Sequence, residues 1–529
     1  MPVGIRKIVS ANRRICCVLA LILVSGLLVP TLLSGADDKV HITYWEKWSG
    51  FEADAMRRTV EQFNRSQNKV VVEFLSLSSV DRKALIATAG GDPPDVVGLW
   101  AYNVYSFADR DALQPLDDFI RAEPTPSGGQ ASTPEQWLAR YEPVYADMCT
   151  YRGRVWAGLS TPSMTALHWN KAMFRAAGLD PERPPRTLAE LDAFAEKLTK
   201  RDPKTGEVVQ LGFLPQEPNW FAWAYPLWFG GQLLDGDKIT IGTDPHNLQC
   251  YQWVESYTRK YGLDQVRAFS SGFGNFASPQ NAFLSGKVAM EFQGVYMNNF
   301  IRQFRPGMEY GVTAWPTAAP GLDDFTVADT DLLAIPRGAK HPREAWEFIK
   351  FISSANLNAQ REDELSGMEL VCYLQGKNSP LRQWSPFFEQ HHPHPYIGVF
   401  RQLARSPHAV HLPKMGIWQE YRRETDTMFD AVRLLAESPE QALAFCQRRI
   451  SESWSWHRKS LERRSSDIAN RPLTRALQTT AVPGLSLMGR GNPDELTPNG
   501  KPNVPLTNAP LPLGERVRVR GHEIIAKSP

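Results

Sequence analysis

The sequence is poor in cysteine and lacks most of the short motifs that mark catalytic centres. Its 529 residues include six cysteines, and no two of them form a C-x-x-C pair, which argues against a zinc ribbon or a thioredoxin-like centre. H-E-x-x-H, G-x-S-x-G and P-loop patterns are also absent. We therefore expect a protein that is not an enzyme, with no catalytic residue, no metal site and no cofactor.

A clustered basic surface is also missing. The formal net charge is +2, and Arg6, Lys7, Arg13 and Arg14 all lie in residues 1–36, where there are no acids. The remainder therefore carries −2, that is +2 less +4. Because the phosphate backbone requires concentrated positive charge, nucleic acid is excluded as a partner.

The N-terminus has the pattern of a targeting segment. A basic stretch ends at Arg14, the apolar run "ICCVLALILVSGLLVPTLL" follows, and small residues precede "DDK" at residue 37. This order is typical of a cleaved signal peptide, so we expect residues 1–36 to be removed and the protein to be periplasmic or extracellular. The alternative is an uncleaved membrane anchor, because the run is long enough to span a bilayer.

The next hundred residues alternate between strand and helix patterns. Strands are predicted at 40–45, 69–77 and 94–100, with a helix after each of the first two. Ser49 and Glu52 have the spacing of a capping box at the start of the first helix. Nearly continuous apolar strands linked by helices predict a parallel sheet that is covered on both faces.

Aromatic residues follow two of these strands where each strand ends. Trp45 and Trp48 come at the end of the first strand, and Trp100 and Tyr102 at the end of the third. Open α/β sheets bind ligands beyond the carboxyl ends of their strands, so these rings are expected on one ligand-binding rim.

The C-terminal part divides at about residue 465. A long helix is predicted over 438–464, with Ser438 as its cap. Residues 466–529 are rich in proline, glycine and asparagine and are expected to be mostly disordered, because they carry too little apolar surface to form a core.

Several segments, taken in order, resemble one family. They include "ITYWEKWSG", "GDPPDVVGLW", "RGRVWAGLSTPSMTALHWNKAMFRAAGLDPERPPRTLAEL", "SGKVAMEFQGVYM" and "HPREAWEFIKFI". Over residues 38–460 the chain resembles the extracellular solute-binding proteins of ABC importers, in the carbohydrate-binding branch that includes maltose-binding protein.

The resemblance implies a two-lobed α/β fold of the periplasmic-binding-protein (Venus-flytrap) type. Each lobe would hold a mostly parallel sheet flanked by helices, with chain crossings between the lobes. The N-lobe would comprise 38–158 plus 314–368, and the C-lobe 160–312 plus 370–465. Segment 370–412, which contains "HHPHP", has no clear family counterpart and is interpreted as a loop rather than a metal site.

The resemblance also implies a sugar-binding cleft, and the chemistry of its candidate residues suits that task. An indole ring covers the C–H face of a pyranose, while charged and amide side chains bind its hydroxyls. At the third position of the Gly294 turn the family usually has tryptophan, and here Tyr296 stands instead. The expected substrate-binding residues are Trp45, Glu46, Trp48, Trp100, Asn219, Trp220, Trp223, Gln293, Tyr296, Asp329, Asp331 and Trp418.

Each of these residues also has a structural interpretation. Trp45 would then point into the sheet core, Glu46 and Lys47 would be a solvated pair of little energetic value, and Asp329 and Asp331 would cap a loop. Other tryptophans are expected to pack in the core or between helices, namely Trp156, Trp346, Trp454 and Trp456.

The leading functional hypothesis is a monomeric binding protein that captures a sugar or oligosaccharide and delivers it to the membrane permease of an ABC importer. The alternatives are a binder of a non-sugar solute, a ligand sensor that acts on a receptor, and a secreted glycosidase. A glycosidase needs two carboxylates about 5–9 Å apart, for which only Asp329 and Asp331 are candidates.

Overall fold

The computed structural model describes residues 39–124, 132–274 and 276–469. The predicted signal peptide, residues 1–36, lies outside the described residues, and so does most of the predicted disordered tail, residues 466–529, from residue 470 onward. For residues 466–469 the prediction of disorder is wrong, because they continue a long helix. No helix within the described ranges is both long and apolar enough to cross a membrane.

The described residues form short and long strands together with many helices. The strands are β1 (Val40–Glu46), β2 (Val70–Ser76), β3 (Val96–Trp100), β4 (Leu113–Gln114), β5 (Thr150–Tyr151), β6 (Arg154–Val155), β7 (Gly158–Asn170), β8 (Lys200–Arg201), β9 (Val208–Gln210), β10 (Leu234–Asp235), β11 (Lys238–Ile239), β12 (Met290–Gly294), β13 (Tyr310–Thr313), β14 (Thr326–Pro336) and β15 (Ala409–Val410). The helices are α1 (Gly50–Ser66), α2 (Val80–Gly90), α3 (Ala101–Asp109), α4 (Asp117–Arg121), α5 (Pro134–Leu138), α6 (Pro143–Met148), α7 (Lys171–Ala176), α8 (Leu188–Leu198), α9 (Tyr225–Trp228), α10 (Pro245–Tyr261), α11 (Leu263–Ser270), α12 (Met297–Phe304), α13 (Pro342–Ile352), α14 (Gly367–Gln375), α15 (Pro386–His391), α16 (Ile397–Ala404), α17 (Trp418–Arg433) and α18 (Pro439–Ala469). Short 3-10 helices span Asn219–Ala224 and Glu362–Glu364.

The main sheet has nine strands, and its central path runs β12-β7-β14-β3-β1-β2. β1 pairs in parallel with both β2 and β3, which confirms the predicted parallel arrangement of the first three strands. The sheet as a whole is mixed, because β14 runs antiparallel to both β3 and β7, and β7 runs antiparallel to β12 and β13. The long strands β7 and β14 therefore join the β1–β3 part of the sheet to the β12–β13 part.

Helix α1 packs its apolar stripe against the sheet, as its spacing predicts. Met56, Val60 and Phe63 are all buried. The predicted capping box at its start is wrong, because Ser49 makes no side-chain hydrogen bond to the helix. The Glu52 carboxylate instead accepts a bond from Lys377 Nζ at 2.6 Å, a partner 325 residues away that no local pattern predicts.

A second aromatic core lies against β12. Phe292 stacks on Trp315 with ring centroids 3.8 Å apart, and Trp228 is completely buried beside both rings. The indole of Trp228 donates to the Pro316 carbonyl at 2.6 Å, so its polar edge is satisfied within the core.

The four cysteines that follow the predicted signal peptide are free and buried. Burial raises the pKa of the Cys149 thiol to about 12, and that of Cys446 also to about 12, so both stay protonated near neutral pH.

Helix α18 begins as predicted but exposes one of its tryptophans. Ser438 Oγ accepts the Gln441 N–H, and the Gln441 side chain accepts the Ser438 N–H, both at 3.3 Å. Trp454 is buried, whereas Trp456 is 73% exposed. The expectation that Trp456 packs between helices is therefore wrong, because two residues separate by about 200° around a helix.

Gly212 brings β9 and β12 close to helix α8, and we predict that it tolerates no side chain. A Cβ at Gly212 would lie 2.2 Å from the Ala195 carbonyl oxygen and 2.4 Å from Ala195 Cα, which are backbone atoms of α8. We expect Gly212→Ala to lower the free energy of unfolding in urea by about 3 kcal/mol. Gly398→Ala is the control, because nothing lies within 4 Å of its added Cβ; an equal loss in both variants would contradict the prediction.

Candidate ligand-binding cleft

A buried lysine at the end of β1 organises the candidate site. Lys47 Nζ lies 2.9 Å from Asp331 Oδ1 and 3.2 Å from Glu46 Oε1. The three side chains are 4%, 4% and 0% exposed, so the interpretation of Glu46 and Lys47 as a solvated surface pair is wrong. Burial lowers the pKa of Lys47, but the attraction of Asp331 and Glu46 outweighs it, and the pKa rises above its ordinary value.

Glu46 is held by protein donors on both of its oxygens. The Tyr44 hydroxyl donates to Oε2 at 2.5 Å, and the Lys47 N–H donates to Oε1 at 2.7 Å. Gly98 on β3 makes room for the carboxylate, because a Cβ there would lie 2.1 Å from Oε2. Glu46 thus lies beneath the site, where it neutralises Lys47.

Trp48 and Trp100 lie together beside this ion cluster. Trp48 Nε1 donates to Asp331 Oδ2 at 2.5 Å, and the two indoles meet edge to face with centroids 6.2 Å apart. Trp100 in turn stacks on Tyr102 at 5.7 Å. Lys47 Nζ lies 5.2 Å from the Trp48 ring and 5.0 Å from the Trp100 ring, within cation–π range. All three rings are partly exposed.

Trp45 has different surroundings from Trp48. It sits in the parallel ladder between Leu75 of β2 and Val97 of β3. Successive side chains of a strand point to opposite faces, so Trp45 faces away from the side that holds Tyr44 and Glu46. Its ring is partly buried against the hydrophobic core.

Asp329 forms no ion pair with any cation among the described residues. Its Oδ1 accepts the Thr330 N–H at 2.8 Å. Burial, and then the nearby Asp331 carboxylate, raise the pKa of Asp329 to about 7. The pKa of the Tyr102 hydroxyl and that of the Tyr296 hydroxyl are both raised, mainly by burial and next by the negative charge of Asp329. Asp329 therefore lies near tyrosines from two different segments of the chain. Both aspartates lie in strand β14, so the interpretation of them as loop caps is wrong.

Asp331 lies at an irregularity in β14, and Asp329 lies two residues before it. The register of its pairing with β7 shifts between Thr330 and Leu332. Such bulges re-aim side chains next to sites. Asp331 is fully engaged at this point, because Thr161 Oγ1 also donates to Oδ2 at 2.6 Å.

Rings from the middle of the chain form a second aromatic cluster. Trp220 is 39% exposed and lies 4.3 Å from the Phe276 ring, and Tyr296 lies 6.0 Å from Phe276. Tyr296 folds over Gly294, where an added Cβ would lie 2.2 Å from its ring. Asn219 begins the 3-10 helix that carries Trp220.

Gln293 is completely buried, and neither polar atom of its amide has a hydrogen-bond partner among the described residues.

Trp223 meets Trp418 edge to face at 5.3 Å, and Trp418 stacks on Tyr421 at 5.2 Å. Trp418 and Tyr102 line the same surface pocket, so these rings border the region next to Trp100.

Two charged residues near these rings were not singled out from the sequence. Glu217 precedes the Trp220 segment, and burial raises the pKa of its carboxyl to about 7. Glu217 stands two residues before Asn219, a predicted binding residue, and this position could have marked it as a further candidate. Lys377 Nζ lies 5.7 Å from the Trp48 ring, but this residue belongs to segment 370–412, which carried no motif. No group of three or more metal-ligating side chains occurs in the part of the chain that the structure covers.

Comparison with known proteins identifies the family. A family model described as bacterial extracellular solute-binding protein matches residues 51–357. The multiple sugar-binding protein of Streptococcus mutans is 23% identical over 354 residues, which cover 65% of this chain and 79% of that protein. An uncharacterized ABC transporter extracellular-binding protein of Pyrococcus horikoshii is 20% identical over 361 residues, which cover 63% of this chain and 78% of that protein.

A solved structure is similar over nearly its whole length. The protein CpMnBP1 with mannobiose bound is 28% identical, with a TM-score of 0.65, and covers 78% of this chain and 99% of its own. The predicted two-lobed α/β fold is confirmed by this likeness. The family is one of binding proteins rather than enzymes, with a periplasmic or extracellular location. Since the matched residues make up more than half of the sequence, the chain belongs to the bacterial extracellular solute-binding protein family.

Proposed function

We propose that this protein captures a sugar or oligosaccharide between its two lobes and delivers it to the membrane permease of an ABC importer. The observation that carries the proposal is the arrangement around Asp329. Asp329, which forms no ion pair among the described residues, lies close enough to Tyr102 and Tyr296 for its charge to help raise the pKa of both hydroxyls. Tyr102 stacks on Trp100, which contacts Trp48, and Tyr296 lies 6.5 Å from Trp220.

This arrangement suits the chemistry of a sugar. Indole and phenol rings cover the C–H faces of pyranoses at low cost in side-chain entropy. A carboxylate accepts hydroxyl donors through charge-assisted bonds, which are about twice as strong as neutral ones. The similarity to CpMnBP1, which was solved with mannobiose and with mannotriose, makes these two sugars the first ligands to test.

The lobes that close on the sugar are proposed to be residues 38–158 plus 314–368 and residues 160–312 plus 370–465. A ligand that contacts both lobes stabilises the closed state because it binds that state more tightly than the open one. The closed monomer would then be recognised by the permease, after secretion directed by residues 1–36.

A cationic solute is the second candidate, and the observation that favours it is the same unpaired Asp329. A glycosidase fits less well, because Asp331 already accepts bonds from Lys47, Trp48 and Thr161 and so is not a free second carboxylate. Calorimetry with a polyamine in place of the sugar separates the two binding hypotheses.

We predict that Trp100→Ala weakens binding of mannotriose. Losing one ring that stacks on sugar removes about 2 kcal/mol, which corresponds to a roughly thirtyfold increase in Kd measured by titration calorimetry. Trp456→Ala is the matched control, because its indole is 73% exposed on α18 and should leave Kd unchanged. Unchanged affinity together with a large loss of thermal stability would instead assign Trp100 to the core.

We predict that Asp329→Asn changes the pH dependence of stability. The pKa of Asp329 in the folded protein, about 7, exceeds its ordinary value of 3.8, so the folded protein retains this proton where the unfolded chain releases it. The stability that the proton contributes is complete below about pH 4 and is lost as the pH rises through 7.

The asparagine variant cannot lose that contribution. Its melting temperature should therefore exceed that of the wild type by several degrees at about pH 8, and the difference should shrink towards about pH 5. The Kd for mannotriose should rise in the variant, because a neutral amide is a weaker acceptor than a carboxylate. A melting-temperature difference that is the same at both pH values would contradict the prediction.

A further inference from the structure

Helix α18 presents an outward face on which aromatic and basic residues alternate. Its inward face buries Ala442, Leu443, Cys446, Ile450 and Trp454. The outward face carries Phe445, which is 48% exposed, and Trp456, which is 73% exposed. Eleven residues separate these rings, which places them on the same side of the helix and about 17 Å apart.

Basic residues surround the two rings on this face. Arg448, Arg449, Lys459 and Arg463 are all exposed, and at 100° per residue they lie within about 60° of the Phe445 direction. Arg449 pairs with Glu424 at 3.0 Å, and the guanidinium of Arg448 lies 5.7 Å from the Phe445 ring. Arg448 and Lys459 form no ion pair with any carboxylate whose side chain the structure describes, so their charge is available to a partner.

The acidic content of the face is low. From Phe445 to Arg463 the helix carries two carboxylates, Glu452 and Glu462, of which Glu452 lies within about 60° of the Phe445 direction. Glu452 lies near Arg449, whose pKa it helps to raise. The face therefore combines exposed aromatic rings with an excess of unpaired cations. Exposed aromatic rings beside lysine and arginine on one helix face are the composition of a helix that lies in a membrane interface.

We propose that this face of α18 docks the protein on a membrane surface that carries anionic phospholipid headgroups. The amphipathic indole of tryptophan is most stable at the headgroup boundary and the apolar ring of phenylalanine buries itself there, while lysine and arginine bind the phosphates. The inference goes beyond the proposed function, since it requires no particular sugar. Docking would hold the loaded protein at the surface where a permease lies.

A flotation experiment tests the docking. The purified full chain is mixed with liposomes of phosphatidylcholine, either alone or with about one third phosphatidylglycerol. Wild-type protein should float with the anionic liposomes, and raising the salt concentration should release it, because salt screens attraction between exposed charges. Lys459→Glu/Arg463→Glu and Trp456→Ser should each reduce the floated fraction about tenfold.

Matched control variants show whether flotation depends on this face or on surface charge and apolar side chains in general. Arg58→Glu/Lys204→Glu reverses two exposed cations elsewhere, and Ile86→Ser removes an apolar side chain that is 66% exposed. Both should float like the wild type. Melting temperature and mannotriose affinity should be unchanged in the α18 variants, so a loss of flotation cannot arise from unfolding or from failure of the sugar site.

Three outcomes would overturn the docking proposal. The first is wild-type protein that does not prefer anionic liposomes. The second is an equal loss of flotation in the control variants. The third is normal flotation of the α18 variants combined with impaired transfer to the permease, which would make the face a protein-docking surface instead.

Discussion

The candidate cleft depends on one buried lysine. Lys47 lies between Glu46 and Asp331 with all three side chains almost fully removed from water. Removing one partner of such a buried group leaves an uncompensated charge and typically costs about 3–5 kcal/mol. The cluster therefore fixes the end of β1 against β14, and with it the position of Trp48, whose indole donates to the same aspartate.

This constraint also explains why two nearby acids have different properties. Asp331 is opposite Trp100 in the β3–β14 ladder and receives bonds from Lys47, Trp48 and Thr161. Asp329 lies opposite Ser163 of β7, before the register shift, and forms no ion pair among the described residues, and its pKa rises to about 7. One aspartate is thus committed to structure, and the other keeps its acceptor capacity for a ligand.

Much of the fold could be predicted from the sequence, because its signals are local. The strand patterns and the Ser438 cap predicted β1, β2, β3 and the start of α18 correctly. The mixed sheet was not predictable, since the antiparallel pairs of β14 with β3 join residues more than 200 positions apart and those with β7 join residues more than 160 positions apart. The role of Glu52 was misjudged for the same reason, because its partner, Lys377, lies in a segment without a motif.

The tryptophans show why the candidate site was harder to predict than the fold. Residue type alone suggests that each indole either fills the core or binds a ligand. Trp228 donates to a buried carbonyl, Trp48 donates to a carboxylate beside a cation, and Trp456 contacts mainly solvent. These differences arise from the hydrogen-bond partner of each indole N–H and from the direction in which the position in a helix or strand points the side chain. The function of an aromatic residue is therefore set by the groups that the tertiary fold brings to its ring and to its polar edge.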